Sequence, residues 1–289
     1  MLRLLRALGV FLGLTCLGFA AVDPAAFNAA VELYNQHKPL EAQQAFEALA
    51  AASPDNADIA FYLGRLALQR DDYEKATPYL EKAVALKPDE SRFHMRLGDA
   101  YGLAAQKASL FSQLGLAKKC RLEYERAVEL DPKNLEARLS LMGFYQQAPG
   151  FVGGGLDKAL AQAQEVKKLD DNRGRIAVAG IYAADKKYDL AFAEFESVLK
   201  EKPEDYAALF QFGRLAAISG QRLDDGLATL RRCLTMTAPE GQPPIAAAHW
   251  RIGNILEKKG DKAGARAAYE ASLKADPKFA QAIDALKKL

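Results

Sequence analysis

A short pattern that ends in proline recurs along most of the chain and leaves few folds open to it. It closes at Ser53-Pro54, Lys87-Pro88, Asp131-Pro132, Lys202-Pro203 and Asp276-Pro277. The first interval is 34 residues, and the second is 34 once ten extra residues are set aside. Ahead of each proline stands a small residue with an aromatic or leucine four positions later: Ala42/Phe46, Ala76/Leu80, Cys120/Tyr124, Ala191/Phe195 and Ala265/Tyr269. About twelve residues further upstream come Leu63-Gly64, Leu97-Gly98, Val178-Ala179, Phe212-Gly213 and Ile252-Gly253. A period of this size marks one supersecondary unit used over and over, too small to bury its apolar face alone. The units run over about 23–56, 57–90, 91–134, 135–171, 172–205, 206–245 and 246–279, with a last amphipathic segment at 280–289.

These residues resemble the tetratricopeptide repeat, whose pattern is Trp-x-x-Leu-Gly-x-x-Tyr, then Ala-x-x-x-Phe, then Pro. Leu63-Gly64 with Ala76, Leu80 and Pro88, and Trp250-x-Ile252-Gly253 with Ala265, Tyr269 and Pro277, carry it most clearly. The resemblance covers essentially residues 22–289. It implies an all-α, right-handed superhelical α-solenoid of about seven helix hairpins plus a C-terminal capping helix. In such a hairpin, Gly64 or Gly253 lets the two helices approach, and Phe46, Phe195 and Tyr269 fill the wedge between units. The prolines are expected in the first turn of the following helix, where the missing N–H costs nothing. Cys120 and Cys233 fall in units three and six. At roughly 9–10 Å per helix layer they lie too far apart to pair.

The first residues read differently. Met1 to Arg6 carries two arginines, and an uncharged apolar run follows from Ala7 to Val22. Basic start, short apolar centre and small residues at its end form the layout of a secretion signal, expected over residues 1–21. The run of 16 residues falls short of the roughly 20 that a membrane-crossing helix needs. Cleavage after Ala20 is expected, with retention of the run as an anchor as the alternative, and Leu14-Thr15 is a poor approach to a lipidated Cys16. A periplasmic or secreted location follows. Without Arg3 and Arg6 the basic residues number 37, equal to the 37 acidic ones, a balance that argues against nucleic acid as partner.

Two adjacent units break the period in the turn between their helices. Unit three carries about ten extra residues around Gln106–Gly115, with high helical propensity, so a lengthened, protruding hairpin is expected. Unit four carries about five around Gln146–Gly155, where Pro149 and three successive glycines forbid a helix. Turns of neighbouring units share an edge, and insertions gathered on one edge often mark a binding face. Phe111, Leu114, Phe151 and Val152 therefore form either a small satellite core or a partner-binding patch. A phosphate cradle is disfavoured, because Gly153-Gly154-Gly155 lacks the Gly-Lys-Ser/Thr that follows in a P-loop.

The resemblance also implies a concave groove lined by the first helices. Its wall would be Phe27, Phe61, Met95, Leu139, Ile176, Phe210 and Trp250, with Arg65, Asp99, Arg214 and Asn254 one helical turn further on. Some family members clamp a chaperone's C-terminal carboxylate with Lys and Asn there. Phe27, Phe61 and Phe210 replace those residues, so a more hydrophobic peptide or amphipathic helix is expected, flanked by Arg65 and Arg214. No catalytic set emerges. His37, His94 and His249 have no ligand partner at metal spacing, and Asp71-Asp72, Asp170-Asp171 and Asp224-Asp225 sit in turns. No cofactor, no metal and no stable membrane span after signal cleavage are expected. The expected role is a non-enzymatic periplasmic scaffold or adaptor binding a protein segment in its groove or at the insertion edge. The alternatives are an accessory small-molecule-binding protein for envelope transport, or an assembly subunit of an envelope enzyme complex.

Overall fold

The computed structural model describes residues 22–289, so the expected secretion signal lies outside the described residues. Among the described residues there are fifteen α-helices, one 3₁₀ turn and no strand. Seven antiparallel pairs follow one another: α1 (Pro24–Asn35) and α2 (Pro39–Ala52), α3 (Ala57–Leu68) and α4 (Tyr73–Leu86), α5 (Ser91–Lys107) and α6 (Leu110–Leu130), and α7 (Leu135–Gln147) and α8 (Leu156–Leu169). Then come α9 (Asp171–Ala184) and α10 (Tyr188–Glu201), α11 (Tyr206–Ser219) and α12 (Leu223–Cys233), and α13 (Ile245–Lys258) and α14 (Lys262–Ala275). A final α15 (Ala280–Lys288) closes the row. Each helix packs against its neighbours in chain order, which makes the whole a superhelical α-solenoid.

Local chemistry sets the helix ends. The side chains of Asn56, Asp72, Asn134, Asp170, Asp205 and Asp261 each accept a hydrogen bond from the backbone N–H three residues on, satisfying a first-turn donor. The prolines act differently from the expectation. Pro54, Pro88, Pro132, Pro203 and Pro277 lie in the turns between units, outside the first turn of the next helix. Their effect falls on the residue before them. Ser53, Lys87, Asp131, Lys202 and Asp276 are held near φ −128° to −144° with ψ 72° to 102°, and each ends the preceding helix. The proline ring disfavours helical backbone at its predecessor, so it serves as a stop signal.

Packing repeats from unit to unit. A Cβ on Gly98 would sit 2.6 Å from the Tyr124 ring, and one on Gly64 would sit 2.5 Å from Leu80. Glycine is thus what lets the second helix press onto the first. Phe46 is fully buried and spans two units, its ring 5.9 Å from Phe27 and stacked 4.8 Å from Tyr62. The core is a ribbon running along the row, ended by Ala282 of α15 packing with Ala265 and Tyr269. Cys120 and Cys233 are buried free thiols.

The unit-three hairpin is lengthened. Helix α5 has 17 residues and α6 has 21, against 12 and 14 in α3 and α4. Seven additional residues at 1.5 Å each carry the α6 start about 10 Å beyond an ordinary turn. The long connection between α12 and α13 is pinned by the Tyr206 hydroxyl, which donates to the Pro243 carbonyl at 2.7 Å.

Candidate functional site

The two insertions lie side by side and enclose an open cleft of about 680 Å³. Its floor comes from small residues, Gly102, Ala105, Ala117 and Gly143, and its walls from Leu110, Leu114, Phe144, Phe151 and Val152. Of the expected edge residues, Leu114, Phe151 and Val152 line this cleft, and Phe111 stands outside it at the hairpin tip. The satellite-core alternative fails for the larger side chains. Phe111 is 98% exposed, Phe151 78% and Leu114 48%, while Val152 is half-buried against the hairpin. Leu110 was missed by the sequence reading and is 80% exposed. The run Leu110-Phe111-x-x-Leu114 at the start of a surplus helix was the available signal.

The glycine loop owes its shape to packing. Gly150–Val152 forms a 3₁₀ turn, Gly153 has φ 97°, and a Cβ on Gly154 would collide with the Ala148 carbonyl. The amides of Gly153, Gly154 and Gly155 donate to the carbonyls of Gly150, Pro149 and Tyr145. With those donors spent, the three glycine amides are not available to a phosphate.

Beneath the cleft the hairpin is tied down. The Tyr124 hydroxyl donates to Asp99 at 2.7 Å, and burial holds this phenol far above its ordinary pKa. Burial also pushes the Cys120 thiol, at the cleft floor, up to about 12. Arg121 meets both oxygens of Glu125 at 2.8 and 2.9 Å, and the Tyr145 hydroxyl donates to the same carboxylate at 2.7 Å. His94 sits between Glu123, 2.6 Å from Nδ1, and the Pro88 carbonyl, 2.8 Å from Nε2.

Along the tip of the α5–α6 hairpin the charge is one-sided. Between Asp99 and Glu123 the chain has Lys107, Lys118, Lys119 and Arg121 and no acidic residue. Leu114, Phe151 and Val152 meet Lys118, Arg121 and Lys158 around a second hollow of about 630 Å³. Lys107 donates to the Asp71 carbonyl, Lys158 to the Gly153 carbonyl, and Lys119 lies 4.9 Å from the Tyr101 ring centre. Among the described residues, none of Lys107, Lys118, Lys119 and Lys158 is within ion-pair distance of a carboxylate.

The concave face is less open than the sequence suggested. Phe61, Met95 and Phe210 are buried, which removes them from any partner's reach. Their helices pack on two sides, so the ring of Phe61 lies 4.7 Å from Phe93 of the next unit instead of facing the groove. Phe27, Leu139, Ile176 and Trp250 are half-buried. Phe27 packs edge-on to Phe46 and Tyr62, and Trp250 lies against Phe279 and Arg251. Arg65 covers the Tyr34 ring at 4.6 Å and lines a small hollow with Arg96 and Asp99. Ile176 and Arg214 do share a hollow of about 520 Å³ with Met142, Tyr188 and Ile218. Burial and the nearby Arg214 push the Arg251 pKa down to about 10. Asp99 and Asn254 are engaged with Tyr124 and Tyr269.

Among the described residues no group of three His, Cys, Asp or Glu side chains is placed to hold a metal, and no helix is long and apolar enough to cross a membrane. Sequence profiles described as tetratricopeptide repeat match residues 27–91, 65–104, 101–134 and 246–279. No curated protein sequence matches significantly. A tetratricopeptide repeat protein from Parabacteroides merdae superposes with a TM-score of 0.67 at 14% identity, over 91% of this chain and 96% of that one. The protein of a study entitled functional characterization of Pseudomonas aeruginosa pilF gives 0.54 at 17% identity, over 81% and 97%. A chain of the APC/C hetero-tetramer Cut9-Hcn1 gives 0.56 at 14%, over 90% of this chain and 48% of that one. At these identities the likeness shows the fold.

Proposed function

The chain belongs to the tetratricopeptide-repeat superfamily, and from that premise we propose that it is a non-enzymatic, exported scaffold that holds a protein segment in the cleft between the α5–α6 hairpin and the Gly150–Val152 turn. Stacked helix hairpins present extended surface to protein partners. One observation selects the cleft over the concave groove. Three expected groove residues, Phe61, Met95 and Phe210, are consumed by the core, while the cleft keeps Leu110, Leu114 and Phe151 open. An apolar hollow lined by small residues and rimmed by long apolar ones suits two or three anchor side chains of an amphipathic segment. The export half of the proposal rests on the two arginines and apolar run at the N-terminus, which point to a periplasmic or secreted adaptor.

A photo-crosslinking side chain placed at Leu114 or Val152 in living cells tests the site. Discrete protein adducts are expected from these positions, with none from Arg65 or Arg214. Adducts from the two arginine positions alone would move the binding face to the groove.

A further inference from the structure

Phe111 is the most exposed of the large apolar residues described, and the cleft does not use it. It stands with Leu110 at the start of α6, at the end of a hairpin that reaches about 10 Å past its neighbours. Phe151, on the adjoining loop, lines the same cleft as Leu110 and is likewise open. A protein partner that fills the cleft leaves Phe111 in water. An apolar point that projects from the molecule fits a soft apolar medium better than a rigid surface.

The charges behind the tip point to the same medium. Lys118 and Lys119 follow Phe111 by seven and eight residues, about 10–12 Å along the helix. That is close to the depth, about 5–10 Å, to which an interfacial apolar face sinks below the headgroups. Of the carboxylates at this edge, Asp71 and Asp72 lie in the α3–α4 turn and Asp157 in the first turn of α8, and none is within ion-pair distance of Lys118 or Lys119. Lysines without an ion-pair partner among the described residues, set one insertion depth behind an apolar apex, are complementary to a negatively charged headgroup layer.

We propose that the tip of the α5–α6 hairpin is an interfacial anchor, seating Leu110, Phe111 and Phe151 in an anionic lipid bilayer with Lys118 and Lys119 against its headgroups. This is a docking contact made by the folded scaffold; Leu110 and Phe151 are shared with the cleft wall, and Phe111 belongs to the anchor alone. It leaves the cleft mouth facing the membrane plane, where a membrane-attached partner is met at short range.

The test uses the full chain and a readout confined to the tip, because the apolar run at residues 7–22 has a membrane affinity of its own. In Phe111→Trp the new indole reports its own depth, and the sole native tryptophan, Trp250 in unit seven, serves as the internal control. On vesicles containing phosphatidylglycerol and brominated lipid, the indole at position 111 is expected to shift to the blue and be quenched, with Trp250 of the unmodified chain unaffected. Adding Lys118→Gln and Lys119→Gln is expected to weaken the anionic-vesicle signal about fivefold per lysine, and raised salt to weaken it further. Absence of quenching at position 111 would overturn the proposal. So would equal quenching on pure phosphatidylcholine, a shift driven by protein concentration alone, or a shift with an acidic amphipathic peptide and none with vesicles. No quenching at position 111 together with crosslinking that persists from Leu114 would leave the cleft reading standing while the anchor fell.

Discussion

Truncating Phe46 to alanine tests whether the row of hairpins is held together only by nearest neighbours. The side chain is fully buried and touches Phe27 of its own unit and Tyr62 of the next. Removing a buried phenylalanine costs about 3–5 kcal/mol. Each aromatic pair lost accounts for about 0.5–1.5 kcal/mol beyond area. In a globule that loss would spread through one cooperative core. Here α1 and α2 lean on the rest of the molecule mainly through α3, so the cost falls on that junction. At 1.4 kcal/mol per factor of ten, amide protection in α1 and α2 should drop by about a hundredfold to a few thousandfold. Hydrogen exchange followed by mass spectrometry reads this segment by segment, and α13 and α14 should keep their protection. Equal losses at both ends, or a drop below tenfold in α1–α2, would refute the nearest-neighbour account.

Other consequences are as open to measurement. Gly98→Ala forces the Tyr124 ring away from its 2.6 Å approach and strains its bond to Asp99, so a net loss of about 1–2 kcal/mol in urea unfolding is expected after the gain in helix propensity. Gly115→Ala, where a Cβ meets nothing within 4 Å in mid-helix, should instead stabilise by up to about 1 kcal/mol. Burial pulls the His94 pKa down, but its bonds to Glu123 and the Pro88 carbonyl outweigh that and leave it raised above 6.5. Both partners accept, so the doubly protonated ring is the bound form. Its contribution is therefore complete below the unfolded value and fades as pH rises through the native one. The stability gap between the unmodified chain and His94→Ala should shrink over that window, and a gap that widens with pH would contradict the sign. Cys120 and Cys233, raised to about 12 by burial, should resist iodoacetamide at neutral pH until the chain unfolds.

What the sequence disclosed and what it concealed follow from the same packing. Each hairpin carries its own small residue, its own ring or leucine and its own proline, so fifteen helices were readable one unit at a time. The lengthened α5–α6 pair was readable because ten surplus residues kept helical propensity. The groove misled because a first helix meets its partner helix and the next unit on opposite flanks. In α3, eight of twelve residues are buried, and an apolar residue at the fifth position looks the same whether it faces a groove or a neighbour. Phe61 faces Phe93. The tip misled in the other direction. Leu110-Phe111-x-x-Leu114 reads as a face awaiting cover, and periodicity carries no information about whether anything stands opposite it. A proline in sequence points to a helix that follows, although the constraint these prolines impose falls on the residue before.

That backward constraint gives the two poles of every hairpin unequal freedom. One pole is metered, because an extended residue ahead of proline closes the second helix at a fixed phase and hands the chain to the next layer. The opposite pole answers to no such clock. Residues can be added or recoloured there without disturbing the pitch of the stack. Such a molecule can acquire a new appendage at one rim while every other layer keeps its place.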